Sequence, residues 1–282
     1  MRVVFAGTPD AALPALAAVA ASDHELVGVV TRPDAATGRG RRLTPSPVAE
    51  AAQALGVRLL KPAHPRDSDF QETLRALAPE ACPVVAYGAL LPQSVLDIPP
   101  RGWVNLHFSL LPRWRGAAPV QHAIWAGDDV TGATTFRLVR ELDAGPTYGV
   151  MTETIRPRDT TGDLLARLAE GGAALLVATL DGIADGSLEE RPQSGDDVSL
   201  APKVGVDDAR VDWTRAAAVI DRQIRACTPA PGAWTTYAGE RLKLGPVTVA
   251  DGALPPGELV AGKNAVVVGT LTGALRLGDV QP

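Results

Sequence analysis

WVNLHFSLLPRWRGAAP, residues 103–119, decides how the chain is read. Its opening residues alternate as a strand does. Val104, Leu106 and Phe108 fall on one face, Asn105 and His107 on the other. The apolar trio belongs in a core, which leaves an amide and an imidazole side by side near the strand's carboxyl end. The Pro/Trp/Arg/Gly run that follows turns away at once. Open α/β sheets hold their ligands at that edge.

Outward from this strand, short apolar strands and helices alternate. Strands are expected at Arg2 to Ala6, Leu26 to Thr31, Val57 to Leu60, Ala81 to Tyr87 and Thr134 to Val139. Between them the pattern predicts helices from a Thr8-Pro9 start to about Ala21, at Pro47 to Leu55, at Phe70 to Leu77 and at Pro119 to Ala126. A further helix runs from Leu164 to Ala184, interrupted at Gly171-Gly172. This spacing predicts an α/β fold, doubly wound around a mostly parallel, Rossmann-like sheet. Residues 1–188 make that domain. The polar, aperiodic residues 189–208 read as a linker. Residues 209–282 read as a second domain, with a helix at Trp213 to Arg225 and then short strands between Pro/Gly turns. That texture suits a small OB-like β-barrel.

The totals bound the function. Hydrophobic residues make up 46% and charged residues 21%, an ordinary globular profile. There is no apolar run of membrane-spanning length, and the N-terminus reads as a strand rather than a targeting peptide. Cys82 and Cys227 stand apart without metal-ligand spacing, so the reading is a cytoplasmic protein with two buried thiols and no metal. A net charge of −5 argues against indiscriminate nucleic-acid binding. Yet Arg32, Arg39, Arg41 and Arg42 crowd one loop against the single acid Asp34, which suggests one anionic partner held at one place. The glycines of dinucleotide and P-loop sites are missing at the required spacing, so nicotinamide, flavin and nucleotide-hydrolysis chemistry lack support.

Asp143, in the turn LDAGP at 142–146, follows another predicted strand. If that strand neighbours the first, its carboxylate reaches His107 and fixes the tautomer or raises the pKa. Asn105, His107 and Asp143 together suit acyl-type chemistry: the amide donates to a developing oxyanion while His and Asp manage protons. Ser109 begins a turn without a nucleophile-elbow context. Direct attack by a substrate amine is therefore expected, without a covalent enzyme intermediate.

The segments FAGTPD (5–10), VVTRPDAATGRGRRLTPSPV (29–48), VVAYGALLP (84–92), the central N-x-H with SLLPRWRGAAP, LDAG (142–145), ARVDW (209–213) and IRACTPAPGAW (224–234) span essentially the whole chain. Together they resemble the formyltransferases that use 10-formyltetrahydrofolate. The basic loop and the second domain narrow the likeness to those acting on initiator methionyl-tRNA. The resemblance implies catalytic roles for Asn105, His107 and Asp143. It implies folate contacts at Ser109, Leu110, Leu111 and Pro112, and around Tyr87, Gly88 and Leu90. It also implies tRNA contacts at Arg39, Arg41, Arg42 and Lys203. No membrane and no obligate protein partner is implied, and a further C-terminal stretch is expected beyond Pro282. Formyl transfer to a small amine and hydrolysis of formylfolate are the alternatives that keep the central trio.

Overall fold

The computed structural model describes residues 1–37, 42–263 and 265–282, with the backbone alone for Thr37 and Arg42. Two compact units emerge, each made of three stretches of chain. The first comprises residues 1–115, 132–153 and 166–199, and the second comprises residues 116–131, 154–165 and 200–282.

In chain order the elements are β1 (Arg2–Gly7), α1 (Leu13–Ala20), β2 (Glu25–Val30), β3 (Ala35–Thr37), β4 (Arg42–Thr44) and α2 (Pro47–Ala54). Then come β5 (Leu59–Leu60), α3 (Ser68–Ala76), β6 (Cys82–Val85), α4 (Gln93–Leu96), β7 (Trp103–His107), α5 (Pro119–Ala126), β8 (Val130–Arg137), β9 (Thr147–Thr154) and α6 (Thr161–Asp185). A seven-stranded sheet runs β5-β2-β1-β6-β7-β8-β9. The pairs from β5 through β7 are parallel, and β8 joins β7 antiparallel. Val3, Val4, Phe5 and Ala6 of β1 are all fully buried, as a strand covered on both faces requires. The mostly parallel sheet expected from the sequence is therefore present, and β7 sits where its direction switches.

Two local expectations need correction. Thr8-Pro9 does not cap a helix. Residues Asp10–Ala12 form a short 3₁₀ turn, α1 begins at Leu13, and the Thr8 hydroxyl donates to the Tyr87 carbonyl at 2.8 Å. The hydroxyl ties two strand ends together, which competes with capping. Nor is α6 interrupted at Gly171-Gly172. A Cβ on Gly171 would lie 2.7 Å from the Met151 methyl, and one on Gly172 would lie 2.9 Å from Leu106. The pair lets the helix approach the sheet closely, and packing outweighs the intrinsic helix penalty of about 1 kcal/mol per glycine.

The second unit contains α5, then α7 (Ala217–Ala226) and the strands β10 (Trp234–Tyr237), β11 (Glu240–Leu244), β12 (Thr248–Ala250), β13 (Leu259–Ala261), β14 (Val266–Thr270), β15 (Gly273–Arg276) and β16 (Val280–Gln281). They form antiparallel sheets ordered β10-β11-β16 and β12-β15-β14-β13. Ile220 and Ile224 of α7 pack with Val211, Leu244, Val247 and Leu275, and Trp125 of α5 covers the same core. Cys82 and Cys227 are buried free thiols, as expected. Among the described residues no helix is long and apolar enough to cross a membrane.

Candidate active site

β7 carries the site, and Asn105 is the one residue of the strand that is not buried. Trp103, Val104 and Leu106 are buried, while Asn105 is only partly covered. In register, Asn105 lies between Val84 of β6 and Phe136 of β8, and His107 lies beside Thr134. No hydrogen bond holds the Asn105 carboxamide among the described residues, which leaves its N–H groups available to a ligand.

His107 is 6% exposed, and its Nε2 lies 2.9 Å from the Trp114 carbonyl oxygen. A carbonyl only accepts, so Nε2 carries the proton and Nδ1 is the free acceptor of the neutral ring. Nδ1 faces Asp143 Oδ2 at 3.8 Å. That separation is too long for a hydrogen bond but close for a charge. Phe136 stands edge-on to the imidazole, with ring centres 6.3 Å apart. Burial pulls the His107 pKa down, against the pull of Asp143 and the Trp114 hydrogen bond in the other direction. Two details thus depart from expectation. The Trp114 carbonyl sets the tautomer, and burial outweighs the nearby carboxylate. The pair is a neutral imidazole with its lone pair turned to a buried acid, and it has room for one more proton.

Asp143 is 8% exposed and has a left-handed backbone, φ +49°. That conformation costs a non-glycine residue about 1–2 kcal/mol, so the loop around it must be held. Arg137 N–H donates to the Pro146 carbonyl at 2.9 Å. A side chain at Gly145 would collide with the Arg137 carbonyl, so only glycine lets the loop lie this close to β8. Gln193 bonds the carbonyls of both Asp143 and Gly145.

The remaining predicted contacts divide. Ser109 is fully buried and its hydroxyl donates to the Arg113 carbonyl at 2.6 Å, so it is no nucleophile. Leu110, Leu111 and Pro112 line the same turn and are partly covered. Tyr87 is buried, with a hydroxyl that finds no partner among the described residues. Burial raises its pKa, opposed by the Arg32 guanidinium. Gly88 has φ +80°, and Leu90 is 83% exposed on the loop beyond. Arg39 and Arg41 lie outside the described residues, as does the side chain of Arg42. The segment around them begins and ends in the β3–β4 pair. Lys203 is exposed in the second unit. Among the described residues no cluster of metal-ligating side chains occurs.

A cavity of about 450 Å³ lies between α4, its following turn, and the loop that leads from β8 to Asp143. Gln93, Leu96, Asp97, Leu138, Val139 and Glu141 contribute to its lining. The sequence reading missed it, because α4 is one turn long and the 138–141 stretch has no period. It combines apolar walls with two acids, a carboxamide and the guanidinium groups of Arg137 and Arg140.

Two buried histidines make stability pH-dependent. The pKa of His24 is lowered by burial first and by the Met1 ammonium second, against the pull of Asp181, 3.2 Å away. His107 is lowered as described above. A pKa depressed on folding means the unfolded chain binds more protons below about pH 6.5, so stability present above that pH is lost on acidification. Each histidine contributes at most about 1.4 kcal/mol per pH unit between its unfolded and folded values. Thermal midpoints should fall from pH 7 towards pH 5, and the slope should flatten in His24→Gln. An unchanged slope in that variant would dismiss His24 as a contributor.

Residues 1–180 match the family model described as formyl transferase, and residues 203–282 match the formyl transferase C-terminal domain. A methionyl-tRNA formyltransferase of Nocardioides sp. is 76% identical over 286 residues, covering all of this chain and 90% of that one. An N-formyltransferase from Helicobacter canadensis, solved with folinic acid and dTDP-3-aminofucose, shares the fold. Its TM-score is 0.75 at 14% identity, over 99% of both chains. HypX from Aquifex aeolicus, solved with tetrahydrofolic acid, gives a TM-score of 0.72 at 20% identity, over 99% of this chain and 44% of that one. From end to end, then, this chain belongs to the formyl transferase family, in its methionyl-tRNA formyltransferase branch.

Proposed function

We propose that the chain transfers the formyl group of 10-formyltetrahydrofolate to the free α-amino group of initiator methionyl-tRNA, in the cytoplasm, giving N-formylmethionyl-tRNA for translation initiation. One observation carries the chemistry: among the described residues the Asn105 carboxamide is unengaged, two residues from a buried imidazole that faces a buried carboxylate. An α-amine titrates near pH 8 and an adjacent ester lowers that value, so the neutral nucleophile is plentiful at neutral pH. Asn105 donates to the formyl oxygen as it gains charge. The Nδ1 atom of His107 takes the proton shed by the attacking amine, Asp143 steadies the imidazolium so formed, and that proton passes to the folate nitrogen as its bond to the formyl carbon breaks, releasing tetrahydrofolate. Ser109 is occupied by the Arg113 carbonyl, which supports direct attack.

The residues present fit the folate donor. Tyr87, Gly88 and Leu90, the turn from Ser109 to Pro112, and the cavity beside α4 would hold it, and the enclosed Tyr87 hydroxyl lacks a protein partner among the described residues. When bound it supplies the one-carbon group on nitrogen. We assign the chemistry to residues 1–188, the connection to 189–208, and acceptor-arm binding to 209–282 together with Lys203 and the basic loop. Replacing Arg41 and Arg42 together by Ala should lower kcat/KM for tRNA. It should also flatten the salt dependence, by roughly 0.7–0.9 in log–log slope for each phosphate no longer neutralised. A salt series indistinguishable from the parent would remove that loop from the interface.

The deciding assay supplies labelled 10-formyltetrahydrofolate with charged initiator tRNA, with free methionine, or with no acceptor. Label should pass to the charged tRNA alone. Comparable transfer to free methionine would favour a small-amine enzyme, and formate release without acceptor would favour a hydrolase; either outcome overturns the proposal.

A further inference from the structure

We propose that Gln193 is a positioning residue for the transfer step. With Arg115 and Ser199 it clasps the loop carrying Asp143 to the turn that anchors His107. The idea rests on the roles given above to Asp143 and His107. Residues 189–208 read from sequence as a connection, but within the first unit Gln193 is saturated with hydrogen bonds. Its Nε2 donates to the Asp143 and Gly145 carbonyls, both at 2.8 Å. Its Oε1 accepts from Arg115 Nε at 3.1 Å and Nη2 at 2.6 Å. Two donors and one doubly accepting oxygen are the full capacity of a carboxamide, and every one is used.

The partners explain why this matters for the site. Asp143 sits in a left-handed conformation that it would not choose unaided, and its own carbonyl is one of the two that Gln193 grips. Arg115 directly follows Trp114, whose carbonyl accepts from His107. Trp114 is held in turn: its N–H donates to Ser199 Oγ at 2.9 Å, and Arg115 N–H donates to the Ser199 carbonyl at 2.9 Å. Residues 193 and 199 thus fix both members of the pair from one short segment. Glu at 193 would keep the Arg115 contact but turn lone pairs on two carbonyls. Met would fill the space and bond neither side.

The test is single-turnover formyl transfer to initiator methionyl-tRNA across a pH series, for Gln193→Met, Gln193→Glu and both changes on an Asp143→Asn background. Each single change should lower kcat up to about 100-fold, the scale of a misplacement near 1 Å, with KM for tRNA little altered. The acid limb of the profile should move to lower pH, because Asp143, the charged group facing His107, stabilises the imidazolium less when displaced. On the Asp143→Asn background the further loss should vanish, since the two residues act as a unit. Asp196→Ala, exposed in the same segment, serves as the control and should match the parent. Thermal midpoints establish that each variant is folded; a loss explained by unfolding would leave the limb in place and refute the positioning role. An unmoved acid limb, an effect confined to KM for tRNA, or a full loss persisting without the Asp143 carboxylate would refute it equally. If Asp143→Asn alone transfers normally, the role assigned to Asp143 falls first and this proposal falls with it.

Discussion

Replacing Asp143 by Asn is expected to lower kcat about 100- to 10,000-fold, the range for losing a group that manages a proton in the transition state. The swap keeps shape but removes the charge 3.8 Å from His107 Nδ1. Burial then acts on His107 without opposition from that charge, so the acid limb of the rate profile moves further down in pH. Binding of the folate donor and of tRNA should survive, because the carboxylate is buried rather than displayed. Single-turnover transfer with saturating substrates measures the effect. A rate within a few-fold of the parent would take Asp143 out of the chemistry.

Asn105→Ala should cost about 100- to 1,000-fold in kcat, or roughly 2.7–4 kcal/mol of transition-state stabilisation, as for a single oxyanion-hole donor. The structure adds a sharper expectation. Because no hydrogen bond holds the Asn105 carboxamide among the described residues, its removal leaves no protein group orphaned there. Thermal stability should therefore stay near the parent while turnover collapses. Asn105→Asp offers the same outline with no donor and a repelling charge, and should be at least as slow. Should Asn105→Ala instead melt early and turn over normally once folded, the amide is a structural group and the oxyanion is stabilised elsewhere.

Much of the frame was legible from side-chain period. The alternation from Val104 to Phe108 put Asn105 and His107 on one face, and the structure keeps them there. The other parallel strands were readable because they carry short apolar runs between helical segments. What escaped has physical causes. β9, whose residues alternate between covered and open, lacks a flanking turn signal strong enough to mark it. Gly171-Gly172 looked like a break because propensity cannot know that Met151 and Leu106 press on the helix. The histidine tautomer depends on a main-chain oxygen from Trp114, and no residue type encodes that. Gln193 stood in a polar, aperiodic stretch that gives no hint of its four bonds.

The second unit draws α5 from the middle of the chain and α7 from near its end, and the two helices pack on each other. During synthesis α5 leaves the ribosome long before the partner that covers Trp125 exists, and contacts so distant in sequence form late. A single cut in residues 189–208 parts α5 from α7, so neither fragment can inherit the finished core of the second unit. Cleavage there should yield pieces that stay associated or precipitate, so the enzyme would be made, and lost, as a whole.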